Sequence, residues 1–148
     1  MPDYTNDFDM DCEWYVVDGK GNVGFITTGG SDCYPVKFNE YPSSLYEMYL
    51  ALREIGKIGC AQLCVKDWGK TTDWVEMSER GLYGYDVDME TVDGIHLISL
   101  PTMCRTIVDL KKLYPDLIIA TTDLILGKKF ISKSDVRKMN VAKLSDLA

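Results

Sequence analysis

The pattern of apolar and polar positions is most legible between Glu13 and Gly30, where EWYVVDGKGNVGFITTGG reads as two short strands around a turn. Trp14-Tyr15-Val16-Val17 and Val23-Gly24-Phe25-Ile26 are rich in β-branched and aromatic residues. Asp18-Gly19-Lys20-Gly21-Asn22 between them supplies the positive-φ positions of a tight connection. Both faces of these strands carry apolar groups, so at least one strand is expected to be covered on both sides. Leu82–Val87 and Ile95–Leu100, joined through Asp93-Gly94, read as a second antiparallel pair.

A helical period appears after Pro42. Leu45, Met48, Tyr49, Leu52 and Ile55 form one stripe, with Ser44 as N-cap and Glu47 completing a capping box. Thr71 or Thr72 caps a short helix over 73–80, ended by Arg80-Gly81. A third helix opens at Pro101-Thr102, carries Met103, Ile107, Leu110 and Tyr114 on one side, and stops at Pro115. Ser134 caps a final helix. Cys60–Val65 fits either a short helix or a buried strand. Leu117–Ala120 and Lys129–Ile131 fit strands, although 117–126 also fits a continuing helix.

These elements predict a single α+β domain over residues 13–148, with helices packed on an antiparallel sheet. The sheet contains 14–17, 23–27, 82–87 and 95–100, and the helices centre near 50, 76, 108 and 139. Trp14, Val16, Phe25, Ile26, Leu52, Leu82, Ile98, Ile107 and Leu110 form the expected core. Residues 1–12 are acidic with few apolar anchors, and are expected to be loosely ordered.

A chain of 148 residues suits one domain, and 46% hydrophobic against 26% charged residues excludes a disordered chain. No apolar run approaches the roughly 18 residues of a membrane span. The acidic N-terminus lacks the basic and apolar regions of a secretory signal, which predicts a cytoplasmic setting. Five cysteines (Cys12, Cys33, Cys60, Cys64, Cys104) form no disulfide framework and are expected to be buried or half-buried thiols. The formal charge is −7, yet six of the basic residues, among them Lys133 and Arg137, fall after residue 127. An acidic body repels nucleic acid and anionic membrane and attracts basic partners. In the basic segment, the interleaved Val136, Met139, Val141 and Leu144 predict docking on the body.

Catalytic signatures are sparse. Gly69-Lys70-Thr71 resembles the end of a phosphate loop, but Cys64 stands where that motif needs its first glycine. Asp7, Asp9 and Asp11 space like a calcium loop, but Cys12 occupies the turn position and a strand follows. Cys60, Cys64, His96 and Cys104 lack zinc-site spacing. His96 lies in an apolar strand with no local nucleophile signature, which favours a structural role. The prediction is therefore no catalytic residues, no cofactor and no metal, the rival being a small hydrolase or transferase using His96. Asp86 and Asp88 share a strand face, as acid/base chemistry can use. Trp68, Trp74, Tyr83 and Tyr85 suit either core packing or an interface.

Trp14, Val16-Val17-Asp18, Gly21-Asn22-Val23-Gly24 and Thr28-Gly29-Gly30, then Arg80-Gly81-Leu82-Tyr83, Tyr85-Asp86 and Leu100-Pro101, carry a resemblance. Over residues 13–35 and 73–101 the chain resembles a family of small uncharacterised bacterial proteins. Some of these lie beside toxin genes and are suspected immunity proteins. That resemblance implies a fold and a protein partner, and many nuclease toxins are basic, in keeping with the acidic body. The expected function is non-enzymatic: an acidic protein that neutralises a basic protein partner. Aromatic anchors at Tyr34, Trp68, Trp74, Tyr83 and Tyr85, flanked by Asp32, Asp67, Asp73, Asp86 and Asp88, are the expected contact residues. A structural or regulatory module for a neutral partner is the other alternative.

Overall fold

A computed structural model describes residues 13–66 and 68–147. The expected hairpin is present: Glu13–Val17 (β1) pairs antiparallel with Val23–Thr27 (β2), Trp14 opposite Ile26 and Tyr15 opposite Phe25. Its turn is built around the buried Asp18 carboxylate. That group accepts N–H bonds from Lys20 and Asn22 at 2.9 Å and from the Asn22 side-chain amide at 3.1 Å. It also accepts the distant Leu126 N–H at 2.9 Å, so one side chain fixes the turn and ties a remote loop to it.

Tyr83–Val87 (β4) and Gly94–Pro101 (β5) form the second hairpin. Ala61–Leu63 (β3) and Phe130–Ser132 (β7) divide the outer edge of β5 between them. Ile118–Thr121 (β6) lies beside β1, and Asn140–Lys143 (β8) beside β6. The eight-stranded sheet runs β3-β5-β4-β2-β1-β6-β8, with β7 attached to β5. Helices Ser44–Leu52 (α1), Thr72–Glu79 (α2), Ile107–Leu113 (α3) and Lys133–Arg137 (α4) complete a single α+β domain. No helix among the described residues is long and apolar enough to cross a membrane.

The sheet is mixed where a purely antiparallel one was expected. β2 runs parallel to β4, and β1 parallel to β6. Both pairings join segments far apart in sequence, where no turn residue announces the neighbour. They place the hairpin at the centre of the sheet, which is why every residue of β1 is buried. Register sets Trp14, Ile26 and Tyr85 on one face and Tyr15, Phe25 and Gly84 on the other.

Several boundaries also move. Ser43 is the N-cap of α1, and the Ser44 hydroxyl turns back to the Tyr41 carbonyl, so the expected capping box is absent. α3 starts at Ile107, since Pro101 still pairs in the sheet and Arg105 holds the intervening loop through the Arg80 and Gly56 carbonyls. Met103 is exposed and Ile107 half-buried, while the other expected core residues are buried. The helix expected near 139 is a short turn capped by Ser132, followed by β8, whose backbone completes the edge of β6. Val136, Met139 and Leu144 are nonetheless buried, so the basic segment docks as expected. β3 is an exposed edge strand, and Cys60, Cys64 and Cys104 are exposed thiols; Cys33 alone of the described cysteines is buried.

α2 sits on the sheet through a close approach at Gly84. A Cβ there would lie 2.5 Å from Ser99 Oγ and 3.0 Å from Trp74 Cβ. Below it, the Ser78 hydroxyl donates to the Leu82 carbonyl at 2.8 Å and the Ser99 hydroxyl to the Trp74 carbonyl at 3.0 Å. The two oxygens also meet at 2.6 Å. Two protons serve three contacts, so this buried pair has no slack. Gly84→Ala is expected to destabilise the fold by roughly 1–3 kcal/mol, the cost of overpacking. Thermal melting would show it as a drop of about 2–4 °C per kcal/mol.

Candidate functional site

The turn between β4 and β5 and the loop after β3 border an open, shallow cleft of about 390 Å³, lined by Trp68, Asp86, Val87, Asp88, Met89 and Glu90. Asp86 stands on the same sheet face as Thr27, its register partner in β2. Its carboxylate accepts the Thr27 hydroxyl at 2.6 Å through one oxygen and the Trp68 indole N–H at 2.8 Å through the other. The indole is therefore pinned to the sheet by a charge-assisted bond, stronger than a neutral one. Behind it the His96 ring lies 5.7 Å from Trp68 and 4.9 Å from Phe130, the residue paired with His96 between β5 and β7.

The acidic turn is shaped by its own side chains. Asp88 accepts the Glu90 N–H at 2.9 Å, and the Asp88 carbonyl takes the Val92 N–H at 2.7 Å. Val92 consequently adopts φ 46°, a left-handed conformation that a β-branched residue enters only under constraint. Met89 leans over Gly29, where a Cβ would come within 2.5 Å of the sulfur. The turn thus holds Asp88 and Glu90 at one mouth of the cleft while Trp68 forms a wall. Asp93, at the end of the turn, bonds Thr91 Oγ1 at 2.9 Å and approaches His96 Nε2 at 3.4 Å. The Thr91 bond first, then His96, draws the Asp93 carboxyl below its ordinary range.

The ten residues expected at a contact surface separate. Trp68, Asp86 and Asp88 meet in the cleft. Tyr85 is fully buried: its hydroxyl donates to the Lys128 carbonyl at 2.7 Å and accepts the Gly127 N–H at 3.0 Å, and burial pushes its pKa up to about 12. It is a core residue, against the expectation of an exposed anchor. Tyr34 is buried too, beneath the Arg137 guanidinium, which lies 5.7 Å from its ring. Asp32 is engaged within the chain, 2.7 Å from the Lys133 ammonium; that bond first, and the neighbouring Arg137, hold its carboxyl below the usual value. Asp32 and Tyr34 therefore form the seam on which the basic segment docks.

Trp74 is half-buried, with its indole N–H on the Tyr85 carbonyl at 3.0 Å, and serves to seat α2. Asp73 is exposed in the first turn of α2 and does not line the cleft. Tyr83 is half-buried with its hydroxyl 3.6 Å from Cys104 Sγ; burial, then Cys104, raises its pKa to about 12. Asp67 lies outside the described residues, as do residues 1–12 with Asp7, Asp9 and Asp11. His96, weighed as the residue of a rival enzyme, stands behind the indole, and Met89, Glu90 and Phe130 complete the site without having been singled out. The Asp88-x-Glu90 turn before Asp93-Gly94 was the one local signal for any of those three. Among the described residues, no group of three His, Cys, Asp or Glu side chains gathers as metal donors.

Comparison of the chain with known protein families, with curated proteins and with solved structures yields no match.

Proposed function

We propose that the protein is a non-enzymatic binding module that neutralises a basic protein partner, with the Trp68 cleft as its principal contact surface and an immunity role as its setting. The observation that carries this reading is the Thr27–Asp86–Trp68 clamp. It holds a half-exposed indole rigid beside the carboxylates of Asp88 and Glu90. A pre-ordered aromatic anchor loses little freedom on binding, and an acidic rim accelerates encounter with a cationic surface. The net charge of −7 extends that attraction beyond the cleft.

The rim is testable separately from the anchor. Asp88→Lys with Glu90→Lys is expected to slow association with the partner captured from the native host by about tenfold, with little change in dissociation, as rim charges do. Surface plasmon resonance separates the two rates. An unchanged association rate would remove the rim from the mechanism.

A hydrolase or transferase using His96 is the second reading, favoured by the approach of His96 Nε2 to Asp93 at the edge of the same cleft. An activity screen comparing the wild type with His96→Ala distinguishes the two. An activity lost in the variant supports the enzyme.

A further inference from the structure

α1 has two apolar sides. Leu45, Met48 and Leu52 enter the core, whereas Glu47, Leu50 and Ala51 follow one another at i, i+3 and i+4 along the opposite side, with Glu54 two residues past the helix end. That outer side forms one wall of a groove of about 570 Å³, closed by Leu113, Tyr114, Pro115, Asp116 and Leu117 from the end of α3 and the chain leading to β6. Leu50 and Leu113 keep 46% and 55% of their surface exposed across it, one patch from two separate elements. Glu47, Glu54 and Asp116 supply its charged lining, with no cation among the residues that line it. Of the two lysines on α3, Lys111 is bonded to the Leu147 carbonyl and Lys112 is exposed outside the lining.

We propose that this groove is a second docking surface, and that its occupant is a basic amphipathic helix of a partner protein. Three features select that occupant. The apolar floor asks for an apolar stripe, and carboxylates on the rim ask for lysine or arginine beside it. Glu47 on α1 and Glu54, two residues past its end, flank Leu50 and Ala51, so cations are wanted on both sides of the apolar stripe. Ala51 between them is small enough to admit a helix at the usual 8–10 Å axial distance, roughly. A strand is the wrong shape, because β6 is already paired by β1 on one side and β8 on the other, leaving no backbone edge at the groove. The chain's own residues 1–12 have the wrong charge, with Asp3, Asp7, Asp9 and Asp11 and no Lys or Arg. β1 and β2 separate the strand beneath this groove from the strands that carry the Trp68 cleft, so the two surfaces act independently.

The test uses the full chain and three fluorescent synthetic peptides of fourteen residues. One places Leu at helical spacing among Lys, one scrambles the same composition, and one replaces Lys with Glu. Fluorescence anisotropy is expected to give the Lys/Leu helix at least tenfold tighter binding than either control. Leu50→Asp, and separately Glu47→Lys with Glu54→Lys, should each weaken it about tenfold or more. Trp68→Ala should leave it unchanged. Glu47, Leu50 and Glu54 are exposed positions, and amide exchange on the wild type gives a check without mutation: the peptide should slow exchange along α1. Equal binding of the scrambled peptide, indifference to Leu50→Asp, or loss with Trp68→Ala would overturn the proposal. Leu50-dependent self-association of the protein would also overturn it, by giving the groove to a second copy.

Discussion

Trp68→Ala is expected to weaken the partner complex by about 2 kcal/mol or more, some thirtyfold, chiefly through faster dissociation. The indole is the large apolar side chain of the cleft held in one orientation, by the 2.8 Å bond to Asp86 and a tilted ring contact with His96. Losing it removes the anchor area and leaves Asp86 bonded to Thr27. The fold should lose about 1–2 kcal/mol, the worth of one part-buried ring and one charged hydrogen bond. Thermal melting can check that separately. Trp68→Phe divides the two contributions, since it keeps a ring and deletes the N–H donor. An intermediate affinity is expected, because the phenyl ring is free to turn. A Trp68→Ala complex of unchanged lifetime would place the energetic centre elsewhere.

Arg53→Ala is the expected larger loss of stability, about 3 kcal/mol, near the low end for breaking a buried ion pair because Arg53 keeps part of its surface in water. Arg53 grips Glu13 with two of its three nitrogens, Nη2 to Oε2 at 2.7 Å and Nε to Oε1 at 3.1 Å, while its guanidinium lies 4.8 Å from the Tyr49 ring. The Glu13 side chain is only 9% exposed. Burial raises its carboxyl above the ordinary 4.5 despite the opposing pull of Arg53. A carboxyl raised on folding contributes stability below its unfolded value, and that contribution is lost as pH rises through the folded value. Removing Arg53 raises the folded value further. The deficit of the variant should therefore be greatest at pH 7 and shrink toward pH 4. Urea denaturation at both pH values measures it. The double variant Glu13→Gln with Arg53→Met should recover a large share, because no charge remains buried.

Local patterns carried the hairpins, the core and the left-handed turn at Gly81, since each depends on residues a few positions apart. Trp14, Phe25 and Leu82 were identifiable as core for that reason. The parallel pairings and β8 depend on which unfilled edge a distant segment reaches, and no short window contains that information. The site divides similarly. Asp86 was visible on a strand and Trp68 as an aromatic among acids, but Asp88, expected on the same strand face, lies past the end of β4 in the turn. The meeting of the three is a product of the β3–β5 and β5–β7 edges. Tyr34 and Tyr85 read as anchors because tyrosine suits both interface and core. Burial was decided by Arg137 over one ring and by the Gly127–Lys128 backbone around the other.

The proposed role is neutralisation of a basic protein through electrostatic encounter and an aromatic anchor. Its most direct measurement is capture of the partner from the native host by the tagged full chain, followed by association kinetics at low and physiological ionic strength. The expected result is one basic protein, bound stoichiometrically by the wild type and not retained by Trp68→Ala, whose association slows severalfold as salt screens the charges. An acidic or nucleic partner, or an association rate indifferent to that change in salt, would contradict the mechanism.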